Sequence, residues 1–358
     1  MMFDVAVIGA GPGGSIAANT CAKKKLKTVL IEKMPLPRDK PCGGWLSPAA
    51  LQIIRENFGK MPENLRECRI DDIILLPDCQ LHQRVDAVSV QRKSFDHWLA
   101  QSAEESGAAI YNATLKSLSI KRDHIILKLE CNRLEQEITA KYVIGADGLG
   151  STVRSSLYSN LKPQFVEAYQ AYVEGQLPRE AVYVHFPLDE ARVTFFWVIP
   201  KKENVVVGVG GLPPIDLKRL MQNFLSMAKE KYKLGKTLKY EAYPIPVFSP
   251  ANLRLGKRRT FLVGDAACLA NPFTGEGIYG SLMSGMLAGE SIAENFDDPS
   301  KALRSYRQRL KPLVTKLKEM HSLCAYYQSL NRKERQSFVK DYFEIDTANI
   351  EPGIYPKG

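Results

Sequence analysis

The sequence predicts an α/β (α+β) fold: a discontinuous, Rossmann-like nucleotide-binding domain, an inserted antiparallel-sheet domain and a C-terminal helical segment. Three observations carry this expectation. The chain opens on an apolar run that leads into Gly9-Ala10-Gly11-Pro12-Gly13-Gly14. Two later apolar runs end in Gly145-Ala146-Asp147-Gly148 and Gly264-Asp265-Ala266-Ala267. Between those two, residues 181–211 hold three short β-branched and aromatic runs separated by turns, the pattern of an antiparallel meander. The nucleotide-binding domain is therefore expected from residues 1–65, 90–155 and 255–300, the inserted domain from 66–89 and 156–254, and the helical segment from 301–358.

Each element has its reason. Residues 4–8 form a buried apolar strand, and Gly9 permits the tight turn into a helix of small residues. Gly11 lets backbone approach a pyrophosphate, and Gly14 lets the helix pack on the strand. The helix N-terminus presents free N–H groups and the positive end of its dipole to the phosphates. A second apolar strand, residues 28–32, ends in Glu32, eighteen residues after Gly14. An acid there accepts hydrogen bonds from a ribose with a free 2′-hydroxyl, which favours FAD or NAD over NADP. Residues 35–48, rich in Pro and Gly, read as loop. A short helix follows at 49–58, a strand at 69–76 and an amphipathic helix from about 90 to 106. A strand at 109–111, a hairpin at 115–120 and 125–130, and a core strand at 138–144 complete the first half. The meander strands are expected at 182–186, 193–199 and 205–209, then a helix at 215–232 and a strand at 240–247. A buried strand at 259–265 returns to the nucleotide unit and precedes a helix from 278 to about 296.

Composition excludes several classes. With 358 residues, 45% hydrophobic and 25% charged, the chain can bury a large core. No apolar run approaches the roughly 20 residues needed to span a bilayer. The nucleotide unit begins at residue 3, so no targeting peptide is expected. The seven cysteines (21, 42, 68, 79, 131, 268 and 324) form no CxxC pair, which points to a reducing, cytoplasmic setting rather than to disulfides or zinc. Five scattered histidines suggest no metal site, and His185 on its strand reads as structural. The net charge of +10 is uneven: residues 301–340 hold eleven basic and two acidic residues and account for +9 of it. In that stretch apolar residues recur at three or four, from Leu303 through Tyr306, Leu310, Val314, Leu317, Met320, Cys324 and Tyr327 to Leu330, with a kink expected at Pro312. Two readings of this basic helix stand: a solvated helix packed on the nucleotide domain, or one that docks on anionic lipid. No nucleic-acid motif accompanies the charge.

Three motifs together, Gly9-x-Gly11-x-x-Gly14 with Glu32, Gly145-Ala-Asp147-Gly148 with Ser151 and Arg154, and Gly264-Asp265-Ala-Ala with Pro272 and Gly275-x-Gly277, resemble the FAD-binding core of the p-hydroxybenzoate-hydroxylase-like flavoproteins. Within that superfamily the chain is similar to the geranylgeranyl-reductase-like branch. Pro41-Cys42-Gly43-Gly44, the run from Asn271 to Ile278 and the pair Ser284-Gly285 match that branch. The aromatic hydroxylases place His, Gln and Asn where this chain has Cys268, Glu276 and Tyr279. Phe195-Phe-Trp197-Val-Ile199-Pro200 matches half of the branch's aromatic box, and matches the corresponding box of flavin-dependent halogenases to a similar degree.

The resemblance implies non-covalent FAD contacted by Gly9, Gly11, Pro12, Gly13, Gly14, Glu32, Lys33, Cys42, Gly43, Gly44, Arg92, Leu115, Asp147, Asp265, Gly275, Gly277 and Ile278. The chemistry of the residues agrees at two places. Asp265 ends a strand and can accept ribityl hydroxyls, and the helix opening at Ile278 turns its N–H groups toward the electron-rich end of a reduced flavin. Cys42 and Trp197 are the candidate catalytic residues, with Phe195 and Trp197 lining the substrate cavity. Cys42 reads equally as a small buried hydrophobe and Trp197 as core. The expected activity is reduction of a carbon–carbon double bond in a hydrophobic, isoprenoid or lipid-like substrate, with NAD(P)H or another reductant as donor. A monooxygenase or halogenase is the alternative, and a flavin-bearing maturation partner that acts on a protein is a third.

Overall fold

The structure, a computed structural model, describes residues 2–76, 81–161, 163–190 and 192–346. Cys79 and the last twelve residues of the expected helical segment lie outside these. Two sheets organise the described chain. In the first, the strands run in the order Gly256–Lys257, Thr260–Leu262, Leu134–Gly145, Met2–Ile8, Thr28–Glu32, Ala109–Asn112. From Thr260–Leu262 to Ala109–Asn112 all neighbours are parallel. That explains their composition: Thr28–Glu32 is buried at every residue and reads as one apolar run. The hairpin Thr114–Ile120 and Ile125–Cys131 joins this sheet by pairing with the N-terminal half of Leu134–Gly145.

The second sheet runs Thr237–Ile245, Val166–Glu174, Asn204–Gly211, Val193–Pro200, Ala181–His185, Arg66–Leu76, Leu81–Val90, Trp45–Leu46. It is antiparallel except where Ala181–His185 meets Arg66–Leu76. Three of its strands differ from the sequence expectation. Trp45–Leu46 lies in the stretch read as loop and pairs with Ser89 and Val88. Leu81–Val90 and Val166–Glu174 carry charged and amide residues that break the apolar pattern, yet each is held by neighbours on both sides. Pairing context decides such strands more than intrinsic preference does.

The helix Pro12–Lys23 packs between Arg92–Glu105 and Ile278–Glu294. Its approach to the latter needs glycine, because a Cβ on Gly285 would lie 2.1 Å from the Gly13 carbonyl oxygen. The helix Leu217–Tyr232 starts at Asp216, whose carboxylate accepts from the Arg219 N–H at 3.0 Å. It buries Met221, Phe224, Leu225 and Ala228, spaced by three or four, against the second sheet. His185 belongs to this second core. Its Nε2 lies 3.2 Å from the Tyr232 hydroxyl and its ring stands edge-on to Phe224. Burial, with Lys231 nearby, pushes its pKa down to about 4, so it is a neutral packing residue.

The C-terminal segment forms Pro299–Arg309, Lys311–Ser329 and Arg332–Asp346. The break falls at Leu310, and Pro312 sits in the first turn of the second helix, where its missing N–H costs no hydrogen bond. Most basic side chains there are exposed. Arg335 is the exception: it is buried and donates to the carbonyls of Leu188 at 2.9 Å and Tyr327 at 3.3 Å.

Candidate active site

The two sheets enclose a cavity of about 300 Å³. Its floor comes from the nucleotide domain: Pro12, Asp265, residues 275–278 and Ser281. Its roof comes from the antiparallel sheet: Val182, Val184, Phe195, Trp197 and Ile199. Cys42, Gly43, Gly44 and Trp45 form one side. The Trp197 ring lies flat over Gly208, its cross-strand partner, where a Cβ would be 2.3 Å from the indole.

Local structure places the nucleotide end. Gly9 adopts φ +100°, and a Cβ there would collide with the Ala146 carbonyl oxygen at 2.5 Å. The helix Pro12–Lys23 has Gly11 at its N-cap and no side chain bonded to its first N–H groups. A Cβ on Gly11 would meet only Arg38 Nη2 at 3.8 Å and Arg92 Nη2 at 4.0 Å. The space above the helix end is therefore open and flanked by two guanidinium groups, which suits a pyrophosphate. Glu32 is buried and fixed, with Oε2 accepting from the Ala10 N–H at 2.8 Å and paired with Arg38 Nε at 3.4 Å. These residues fit a dinucleotide.

Arg92 is buried and not the surface residue that a helix start suggests. Its Nε and Nη2 each donate to Asp96 at 2.7 Å, and Arg38 donates to the same carboxylate at 2.9 Å. Burial opposes the Arg92 charge, but Asp96 outweighs it and, with Cys42, holds the guanidinium above its ordinary value. Burial likewise opposes the Asp96 charge, and Arg92 and Arg38 hold that carboxyl below its ordinary value. Lys40 pairs with Asp265 at 3.3 Å, which raises its pKa despite burial. Arg154 donates to the Ala266 carbonyl at 3.1 Å and so anchors the turn that carries Asp265.

Cys42 is half-buried between this cavity and a smaller, polar one of about 230 Å³. Its sulfur accepts from the Gly44 N–H at 3.3 Å. The smaller cavity is lined by Lys40, Arg92, Lys201, Asn204 and Glu241 among others. Lys201 donates to the Val90 carbonyl at 2.8 Å, and burial pushes its pKa down to about 8.

The structure thus gathers Pro12, Cys42, Gly43, Gly44, Arg92, Asp265, Gly275, Gly277 and Ile278 around one cavity, with Phe195 and Trp197 above them. Gly9, Gly11, Gly14 and Glu32 cluster at the helix end beside it. Gly13 lies in the first turn of the same helix, and three expected cofactor contacts fall outside both groups. Lys33 is exposed, and Leu115 is buried in the first core. Asp147 has both oxygens engaged, by the Ser151 hydroxyl at 2.5 Å and the Val153 N–H at 3.1 Å. Sequence reasoning assigned no role to Arg38, Lys40, Lys201 or Glu276. Arg38 and Lys40 carried a signal, two cations in a Pro/Gly-rich loop beside the nucleotide motif; Lys201 carried none.

With this geometry in hand, comparison with known proteins is specific. The model of the FAD-binding domain family matches residues 2–320. A geranylgeranyl diphosphate reductase of Arabidopsis thaliana chloroplasts is 30% identical, over 84% of this chain and 67% of that protein. A digeranylgeranylglycerophospholipid reductase of Methanocaldococcus jannaschii is 30% identical, over 87% of this chain and 82% of that protein. Among solved structures, a geranylgeranyl bacteriochlorophyll reductase-like protein of Thermoplasma acidophilum superposes with a TM-score of 0.83 at 22% identity, covering 99% of this chain and 97% of that one. A flavin-dependent brominase shares the fold at a TM-score of 0.78 and 18% identity, covering 98% and 94%. The open helix end between two arginines, the fixed acid of the second strand and the match along nearly the whole chain have one explanation: the chain belongs to the FAD-binding flavoproteins of the geranylgeranyl-reductase-like type, and is an FAD-dependent oxidoreductase.

Proposed function

We propose that this enzyme reduces a carbon–carbon double bond in an isoprenoid or other lipid-like substrate. The observation that carries the reading is the cavity: an aliphatic and aromatic roof over a floor formed by the residues that would hold a flavin. The names of its relatives, reductases of geranylgeranyl compounds, support the same substrate class. FAD is held without a covalent bond, by the helix end, the flanking arginines and Glu32. The first sheet and its helices serve the cofactor, and the second sheet serves the substrate.

Hydride is the chemistry that the bound, reduced flavin supplies, with a nicotinamide or another reductant as the source of electrons. The chain's own residues do the rest. Val182, Val184, Phe195, Trp197 and Ile199 exclude water and hold the alkene within the roughly 3–3.5 Å that transfer requires. Cys42, at the cavity's edge beside Arg92, provides a proton from Sγ to the second alkene carbon. Exposed basic residues on the C-terminal helices bring the enzyme to an anionic membrane, where such substrates reside.

The test is turnover under strict anaerobiosis. The chemically reduced enzyme is mixed with a prenyl substrate and the product mass is read. A gain of two hydrogens is expected, and air should only reoxidise the flavin. Product that gains oxygen or halogen, and forms only in air, would establish the oxygenase or halogenase reading that the brominase-like fold also allows.

A further inference from the structure

We infer that Tyr327, on the C-terminal helix Lys311–Ser329, sets the length of the hydrocarbon chain the cavity accepts, acting through Phe186 and Phe273. The inference rests on the lipid-like substrate just proposed and adds a direction and a stop to it.

The roof is a ruler. Ile199, Trp197 and Phe195 alternate on one strand and so share a face, spanning about 13 Å at roughly 3.3 Å per residue. Val182, Val184 and Phe186 run in step beside them, with Val184 opposite Trp197. The Ile199 end is narrow and polar. A Cβ on Gly43 would lie 2.6 Å from Ile199 Cδ1, and one on Gly44 would lie 2.7 Å from Lys201 Nζ. Lys40 and Arg92 sit at that side as well.

The opposite end is apolar and blocked. Phe186, Phe273 and Tyr327 form a three-ring cluster, with centroids 6.1 Å apart for the two phenylalanines and 6.4 and 5.9 Å from each to the tyrosine. Phe186 and Phe273 line the cavity; Tyr327 stands behind them and is 2% exposed. It is not free to swing. Its hydroxyl donates to the Pro187 carbonyl at 3.2 Å, the Arg335 guanidinium sits 5.8 Å from its ring, and Phe338 packs at 5.5 Å. An amphiphile therefore seats its anionic head beside Lys40 and Lys201 and runs its tail toward the three rings. Each methylene that finds apolar room should add about fourfold to affinity. One that meets the rings adds nothing, because an over-filled core resists.

Saturated n-alkyl phosphates from decyl to eicosyl are titrated against the FAD-loaded protein, with the flavin absorbance as readout. Wild-type affinity should climb with length and then level off. In Tyr327→Ala the levelling should move to longer chains, raising the ratio of eicosyl to decyl affinity by at least about tenfold. Tyr327→Phe, which keeps the ring, should behave as wild type. If Tyr327→Ala does not fold, Tyr327→Leu and Phe186→Leu carry the same comparison. A levelling point that stays put in the folded, FAD-loaded variants overturns the inference, as does absence of binding at every length. A shifted levelling point in an enzyme that reduces no prenyl chain would leave the ruler standing and remove the reductase proposal.

Discussion

Glu276 lies between two glycines at the cavity floor, buried, with Oε1 accepting from the Ser47 hydroxyl at 2.8 Å. Its Oε2 has no partner among the described residues. Burial pushes its carboxyl up from 4.5 to about 7. The folded protein therefore keeps this proton over a range in which the unfolded chain has lost it, and stability falls as pH rises from about 4.5 to about 7. Glu276→Gln removes that slope. Relative to wild type, the variant should gain on the order of 3 kcal/mol in going from about pH 4 to about pH 8. Denaturant unfolding of the FAD-free proteins at the two pH values measures it, and an unchanged difference would mean the carboxylate is not burdened by burial. Cys42→Ser should keep FAD, because serine has nearly the size of cysteine and removes no cation from the phosphate end, yet lose about 10²–10⁴ in turnover. Flavin absorbance and anaerobic kinetics on one preparation separate the two effects. The glycines of the nucleotide turn divide as well. A Cβ at Gly11 meets open space, with two guanidinium ends no nearer than 3.8 Å, so Gly11→Val should fold and bind no FAD. A Cβ on Gly14 would stand 1.8 Å from the Gly9 carbonyl oxygen, so Gly14→Val should yield no folded protein. Circular dichroism beside flavin absorbance tells these outcomes apart.

At the scale of elements, the C-terminal helices have a double character. Ala302, Leu303, Tyr306, Leu313, Leu317 and Met320 are buried, while Lys301, Arg304, Lys311, Lys318, Arg332 and Lys333 are exposed. Each cation near an anionic surface contributes about 1 kcal/mol, screened beyond about 8 Å at physiological salt. Pelleting with vesicles that contain anionic lipid is expected at low salt and should fall at high salt; equal pelleting on neutral vesicles would rule out the electrostatic contact. This apolar stripe was legible in the sequence because it repeats every three or four residues, and the central parallel strands were legible because residues 5–8 and 29–31 are apolar runs. Val166–Glu174 was not, since both its edges are satisfied by strands distant in sequence. Arg335 was hidden among surface cations, although its carbonyl partners make it a structural residue. Arg92 was legible as a site residue only through family likeness, because its burial depends on Asp96 one turn later and on Arg38 from a remote loop.

At the scale of the molecule, the first sheet draws its strands from separated stretches of the chain. Thr260–Leu262 completes the first sheet against Leu134–Gly145, and the helix Ile278–Glu294 covers Pro12–Lys23. Among the described residues no helix is long and apolar enough to cross a membrane. The glycine-bearing face of the late helix fits the early one closely: Gly285 meets Gly13, and Gly289 meets Thr20 and Ala17. A ribosome adds about 5–20 residues per second. The nucleotide-binding helix therefore waits on the order of tens of seconds, its small-residue face bare, before its cover emerges. Flavin capture is consequently a late event in the life of each new chain, and a stalled or truncated product would carry the whole glycine signature while remaining colourless.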